Sequence, residues 1–182
     1  MISALVFVVQ AFAQLFLLLL LLRFWLPWFG ANFSNPIAQG ILRLTSPLIV
    51  PVRRVIPPLG RLDTATVVIA FGVQYLTIWV ILALRQFATG IATIALTAII
   101  DLGMLSLRLF VFAIIIRIVL SWIAPHTYNP ITSLVASISD PLLRPARRFI
   151  PPLGGIDISP VFVLIFIGAV SIMLGELRPL PI

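Results

Sequence analysis

Few residues in this chain could do chemistry, and their spacing argues against catalysis. The one histidine, His126, stands between Pro125 and Tyr128 with no cysteine in the chain and no acidic pair beside it, so it reads as a surface residue rather than a base or metal ligand. No glycine-rich phosphate loop follows a strand, and no nucleophile elbow is present. We therefore expect no catalytic residue, no metal and no cofactor. What remains is cationic: twelve Arg and no Lys stand against four Asp and one Glu, a net charge of +7. Arg53-Arg54 and Arg147-Arg148 form doublets, and Asp63 and Asp157 follow at one spacing from each. Such doublets can close on their own aspartate, contact anionic lipid headgroups or dock a partner protein. Nucleic acid is not expected, because Trp and Tyr are not interleaved with the Arg as a stacking platform requires.

The equal spacing has a cause. Residues 35–63 recur at 129–157 without a gap, identical at 14 of 29 positions. Asn35-Pro36-Ile37 becomes Asn129-Pro130-Ile131, and Ile56-Pro57-Pro58-Leu59-Gly60 becomes Ile150-Pro151-Pro152-Leu153-Gly154. The same shift carries Arg23 to Arg117 and Trp28 to Trp122, so the chain is two copies of one unit, residues 1–94 and 95–182.

The elements that hold these motifs are apolar. The chain is 62% hydrophobic and 9% charged, whereas a soluble domain carries about 25% charged residues. Lipid is thus the solvent over most of the surface, and anionic headgroups are the natural counter-charge. Four runs are long enough to span a bilayer, at about residues 3–28, 64–84, 97–122 and 158–177. The first lacks a basic n-region and exceeds a signal-peptide core, so it is expected to stay as a span. The third lies inside a longer apolar stretch, and the repeat shift sets its start at Thr97, leaving residues 85–96 as a connection.

The predicted fold is an all-α membrane protein with four transmembrane helices in two same-orientation repeats, each a helix, an amphipathic proline-rich cytoplasmic loop and a helix. Orientation follows from Arg placement: Arg43, Arg53, Arg54, Arg61, Arg144, Arg147 and Arg148 lie in the two loops, while only Arg85 and Arg178 lie outside the spans on the other face. The positive-inside rule then puts the loops in the cytoplasm and both termini in the periplasm of a bacterial inner membrane. Trp25, Trp28 and Trp122 should form a cytoplasmic aromatic belt, with Arg23 and Arg117 snorkelling to the interface.

Within each loop, Asn35 and Asn129 are expected to cap helices that start at Pro36 and Pro130. Ile37, Ile41, Leu44 and Leu48 then recur at helical spacing, as on a helix lying on the membrane. Pro47 should stop that helix and Pro51 open a second short one. The Pro-Pro-Leu-Gly segments should turn the chain back, and Asp63 and Asp157 are expected to cap the following span, to pair with the Arg doublets, or both, since the two readings are compatible.

Polar groups also occur at depth. Gln14, Gln74, Asp101 and Arg108 fall within spans, and Glu176 reaches a similar outer level. An Arg at a helix centre costs about 2.5–3.5 kcal/mol on insertion scales, which the surrounding apolar residues offset. Arg108 should therefore face the bundle interior in a cluster with the others, as a packing clamp or as the lining of an ion or solute path.

Arg23, Trp25, Trp28, Asn35-Pro36, Pro47, Arg53-Arg54, Pro57 and Asp63, repeated as Arg117, Trp122, Asn129-Pro130, Asp140-Pro141, Arg147-Arg148, Pro151 and Asp157, carry a resemblance. The chain resembles the YggT (YlmG-like) family of bacterial inner-membrane and plastid proteins in a two-copy form, departing from it at Val119, where the second copy lacks the first Trp. The resemblance implies a non-enzymatic membrane protein, with relatives associated with cell division and nucleoid distribution, plastid cytochrome maturation, and osmotic or potassium tolerance. The expected role is a scaffold or assembly factor whose loops dock a membrane protein, a second copy or anionic lipid. The rival is an oligomeric ion or osmolyte pathway.

Overall fold

The computed structural model describes residues 2–60, 62–123, 129–150 and 157–180. Its six helices run α1 (Ile2–Trp28), α2 (Pro36–Val55), α3 (Thr64–Leu84), α4 (Ile91–Ile123), α5 (Pro130–Phe149) and α6 (Ser159–Glu176). By length and apolar composition α1, α3, α4 and α6 can each cross a membrane. Their outward residues are apolar too, including Phe7, Phe12 and Phe166, each about 70% exposed. In water such surfaces would drive aggregation; against lipid they are neutral, and the helix satisfies its own backbone.

Each copy therefore contributes a long helix, an amphipathic helix and a second long helix. α1 packs chiefly on α3, while α4 is central and meets α3, α5 and α6. One core joins α1, α2, α4 and α5 through Leu26, Ile41, Leu109, Ile114, Ile138 and Leu143. A smaller one joins α1, α2 and α3 through Leu17, Leu20, Ile49, Ala65 and Ala70.

Three local expectations change. α2 does not end at Pro47: it continues through Pro47 and Pro51, as α5 continues through Pro141 and Pro145. Both prolines of α2 lie on its exposed side, where water or headgroups can serve the carbonyls they free, and on the inner side Thr45 Oγ1 donates to the Ile41 carbonyl at 2.7 Å. α4 starts at Ile91, not Thr97, because the apolar turn after Gly90 extends the helix, with the Ile94 amide bonded to the Gly90 carbonyl at 3.2 Å. Trp25 leaves the aromatic belt and turns inward. Its Nε1 donates to Ser106 Oγ on α4 at 3.2 Å, and its ring packs edge-on to Phe110. Trp28 and Trp122 remain exposed.

In the first copy the turn back to the membrane is closed by reciprocal Leu59–Leu62 backbone bonds of 3.1 and 3.0 Å. Gly60 has φ +61°, which an L side chain rarely adopts. Its counterpart at Pro151-Pro152-Leu153-Gly154 lies outside the described residues, as do His126, Tyr128 and Arg61.

Candidate functional site

Arg23 does not snorkel. It is only 5% exposed, and its Nη1 donates to Thr45 Oγ1 at 2.8 Å, Ser46 Oγ at 3.1 Å and the Leu42 carbonyl at 3.2 Å. Its Nε lies 3.7 Å from Asp63 Oδ2, the oxygen that Arg53 also holds. α1, α2 and the start of α3 are thereby tied at one carboxylate. Asp63 occupies the N-cap position of α3 without a capping bond from its side chain; it accepts from Thr66 Oγ1 at 2.7 Å. Burial alone would raise its pKa, but the bonds from Thr66 and Arg53, with the charge of Arg53, hold it below the usual carboxylate value.

The second copy is wired differently. Asp140 stands at the repeat position of Ser46 and approaches Arg117 at 3.6 Å and Arg147 at 3.7 Å. Arg147 Nε also meets Asp157 at 2.8 Å. The result is an alternating row, Arg117–Asp140–Arg147–Asp157, with each side chain about a third exposed or more. Asp157 accepts from the Ser159 amide at 3.0 Å and from its hydroxyl. Here too burial would raise the carboxyl, and Ser159 and Arg147 outweigh it and lower it.

Each doublet is thus divided. Arg53 and Arg147 turn onto aspartates; Arg54 and Arg148, with Arg43 and Arg144, are exposed and have no hydrogen-bond or ion-pair partner among the described residues. The two motif helices meet at their starts. Asn35 caps α2 by accepting from the Ile37 amide at 2.9 Å, and its Nδ2 donates to the Pro130 carbonyl of α5 at 2.7 Å. Asn129 caps α5 in a reciprocal box with Thr132.

The intramembrane polar residues occupy a separate region. Gln14, Gln74, Asp101 and Arg108 line one cavity of about 140 Å³ together with Gln10 and Arg178. Arg178 was not foreseen; it clamps Asp101 through Nε at 2.7 Å and Nη2 at 3.0 Å, and Gln74 Nε2 donates to the same carboxylate at 2.9 Å. Two expectations change here. Glu176 is exposed at the end of α6 and does not line the cavity, because the chain leaves the helix at Leu177 and it is Arg178 that reaches inward. Arg108 lines the cavity but is exposed on the single chain, with no hydrogen-bond or ion-pair partner among the described residues. Arg178 and Gln74 hold the Asp101 carboxylate, and Arg108, though it lines the same cavity, makes no bond to it. Next to this cavity the α1–α3 space is filled by Leu17, Leu20 and Ala70, with Leu102 and Leu105 against them.

A family model for CCB3/YggT matches the chain twice, over residues 2–84 and 96–178. The chain belongs to the CCB3/YggT family. An uncharacterised protein of Pseudomonas aeruginosa is 40% identical over 173 residues, covering 94% of this chain and 88% of that protein. The uncharacterised YggT protein of Escherichia coli is 31% identical over 174 residues, covering 96% of this chain and 90% of its own. A chloroplastic YlmG homolog of Arabidopsis thaliana is 35% identical over 63 residues, 35% of this chain and 25% of that protein. No solved structure matches significantly.

In this YggT-family chain, sequence reasoning missed Thr45, Ser46, Thr66 and Arg178. The signal for two of them was present: Thr45 and Ser46 align with Ser139 and Asp140 in the second copy, and a polar pair recurring at the same place in both copies pointed to an inward ligand set.

Proposed function

We propose that this CCB3/YggT protein is a non-enzymatic scaffold or assembly factor of the bacterial inner membrane, whose paired motif helices dock a membrane-protein complex at the anionic lipid surface. The carrying observation is the division of each Arg doublet: one member clamps its own repeat through Asp63 or Asp157, and the other is left outward on a helix joined to its counterpart through Asn35. Four unpaired guanidiniums on two coupled helices offer exposed positive charge suited to acidic protein surfaces and headgroups. The exposed Leu44, Leu48, Val55 and Phe149 add apolar contact beside them. On this reading the two repeats share one orientation, the motif helices face the cytoplasm and both termini face the periplasm. Cell division, maturation of a membrane complex or osmotic stress are the settings that the family resemblance offers.

The test is a pull-down from mildly solubilised native membranes, wild type beside Arg54→Glu/Arg148→Glu, with topology checked because Arg also sets orientation. Loss of a stoichiometric partner from a correctly inserted variant supports docking; an unchanged partner set contradicts it.

The polar cavity favours a second reading, an oligomeric pathway for an ion or osmolyte. Arg108→Leu should then abolish flux in liposomes, and wild-type protein that passes no ion or osmolyte under any gradient contradicts it.

A further inference from the structure

We propose that the first repeat holds a phospholipid headgroup: the cleft beside Arg23 takes the phosphodiester of a membrane lipid whose headgroup also carries a hydrogen-bond donor. The inference rests on the reading above only in placing the motif helices at the membrane surface. A cavity of about 270 Å³ is lined by Arg23, Arg53 and Asp63 on its polar side and by Pro27, Phe33 and Leu42 among its apolar walls. One carboxylate stands between two guanidiniums, so the three side chains carry one uncompensated positive charge. Arg23, 95% buried, keeps its Nε without a hydrogen-bond acceptor, and Asp63 Oδ1 is buried without a donor. Buried polar atoms are ordinarily satisfied.

A lipid phosphate in the cleft accepts from the half-exposed Arg53 and, as the Arg23 side chain turns its buried Nε toward the cleft, from Arg23 as well, a charge-assisted geometry that guanidinium favours. A glycerol hydroxyl or an ethanolamine ammonium on the same headgroup then donates to Asp63 Oδ1 as the carboxylate rotates that buried oxygen toward the cleft. Choline has no such donor. The depth also fits: Arg23 lies five residues before the end of α1 at Trp28, about 7–8 Å along the axis, where the interface begins. The apolar walls then meet the upper acyl chain.

The second repeat supplies an internal control. There Asp140 replaces Ser46, two carboxylates balance Arg117 and Arg147, and the row is exposed, so no excess charge is buried. Among the differences between the copies, Asp140 in place of Ser46 is the one that adds the second carboxylate.

The experiment is native mass spectrometry of the purified, delipidated full chain with phosphatidylglycerol, phosphatidylethanolamine or phosphatidylcholine added at equal concentration, beside melting temperatures. Ser46→Asp installs the second repeat's acid beside Arg23. Wild type should retain one phosphatidylglycerol or phosphatidylethanolamine in preference to phosphatidylcholine, and Ser46→Asp should weaken that retention about tenfold without lowering the melting temperature. Arg53→Gln is the second variant and should weaken it in the same direction. Retention by Ser46→Asp equal to wild type, or no preference against phosphatidylcholine, overturns the proposal. Millimolar inorganic phosphate that displaces the lipid and stabilises equally overturns the lipid as the source of the phosphate. The partner pull-down with Arg54 and Arg148 changed is independent of all these outcomes.

Discussion

In the first repeat Arg23 is buried against α2 and shares a single carboxylate, Asp63, with Arg53; in the second, Arg117 is 35% exposed and joins a row in which Asp140 and Asp157 match Arg117 and Arg147 charge for charge. Of the differences between the copies, Asp140 in place of Ser46 is the one that supplies the second carboxylate. Duplication kept the clamp between motif helix and following span in both copies. It let the hub beneath diverge into a desolvated centre in one copy and a screened network in the other. Buried and exposed charges differ greatly in what their loss costs, so the two copies should respond unequally to the same substitution.

Asp63→Asn should produce the largest asymmetry. It strips the counter-charge from a buried Arg23 and should cost about 3–5 kcal/mol, seen as a lower melting temperature in detergent. Asp157→Asn should cost about 0–1 kcal/mol, since Arg147 retains Asp140. Equal losses would break the comparison. Next, Trp25→Val gives the first copy the residue that the second has at Val119, emptying the contact with Ser106 and Phe110 at about 2–4 kcal/mol. The reverse, Val119→Trp, changes an exposed position and should stay within about 0.5 kcal/mol.

Acid should then narrow the difference. Burial would raise both aspartates, but Thr66 and Arg53 at Asp63, and Ser159 and Arg147 at Asp157, hold them below the usual carboxylate value in the folded chain. A depressed carboxyl contributes its stability fully above the unfolded value and loses it as pH falls through the folded one. The melting-temperature gap between wild type and Asp63→Asn should hold above about pH 4 and close below it; a gap constant to pH 2 would contradict the ion-pair account. The smallest effect concerns the caps. Asn35→Ala and Asn129→Ala should each cost about 1 kcal/mol, Asn35 more because it also bonds Pro130 across the repeats. Thermal melts of the two single variants decide the order.

Much of the fold was legible because its signals are strong and local. Four apolar runs, the duplicated Asn-Pro starts and the Asp at the head of the next span reappear as helix ends close to their expected places, except that α4 begins six residues earlier, at Ile91 instead of Thr97. The proline breaks were misjudged because Pro47 and Pro51 lie on the exposed side of α2, and only tertiary packing reveals which side that is. The inward turn of Trp25 and the burial of Arg23 were hidden for a related reason: belt and snorkel rules describe a lone helix facing lipid, and here α2 and α4 cover those positions. Arg178 lay beyond the last span in sequence, where nothing local tied it to Asp101 at a separation of 77 residues. The divided roles within each Arg doublet needed three dimensions as well, since adjacent residues on a helix point about 100° apart and identity alone does not say which turns inward.

That division is tested most directly by pairing two double variants in the same native membranes, reading partner co-purification and melting temperature together. Arg54→Glu/Arg148→Glu should lose the partner and keep the wild-type melting temperature. Arg53→Glu/Arg147→Glu should lower the melting temperature by opening both clamps. If the outward pair destabilises the chain, or if the partner stays bound when only the outward pair is reversed, the doublets are not divided between clamp and docking surface.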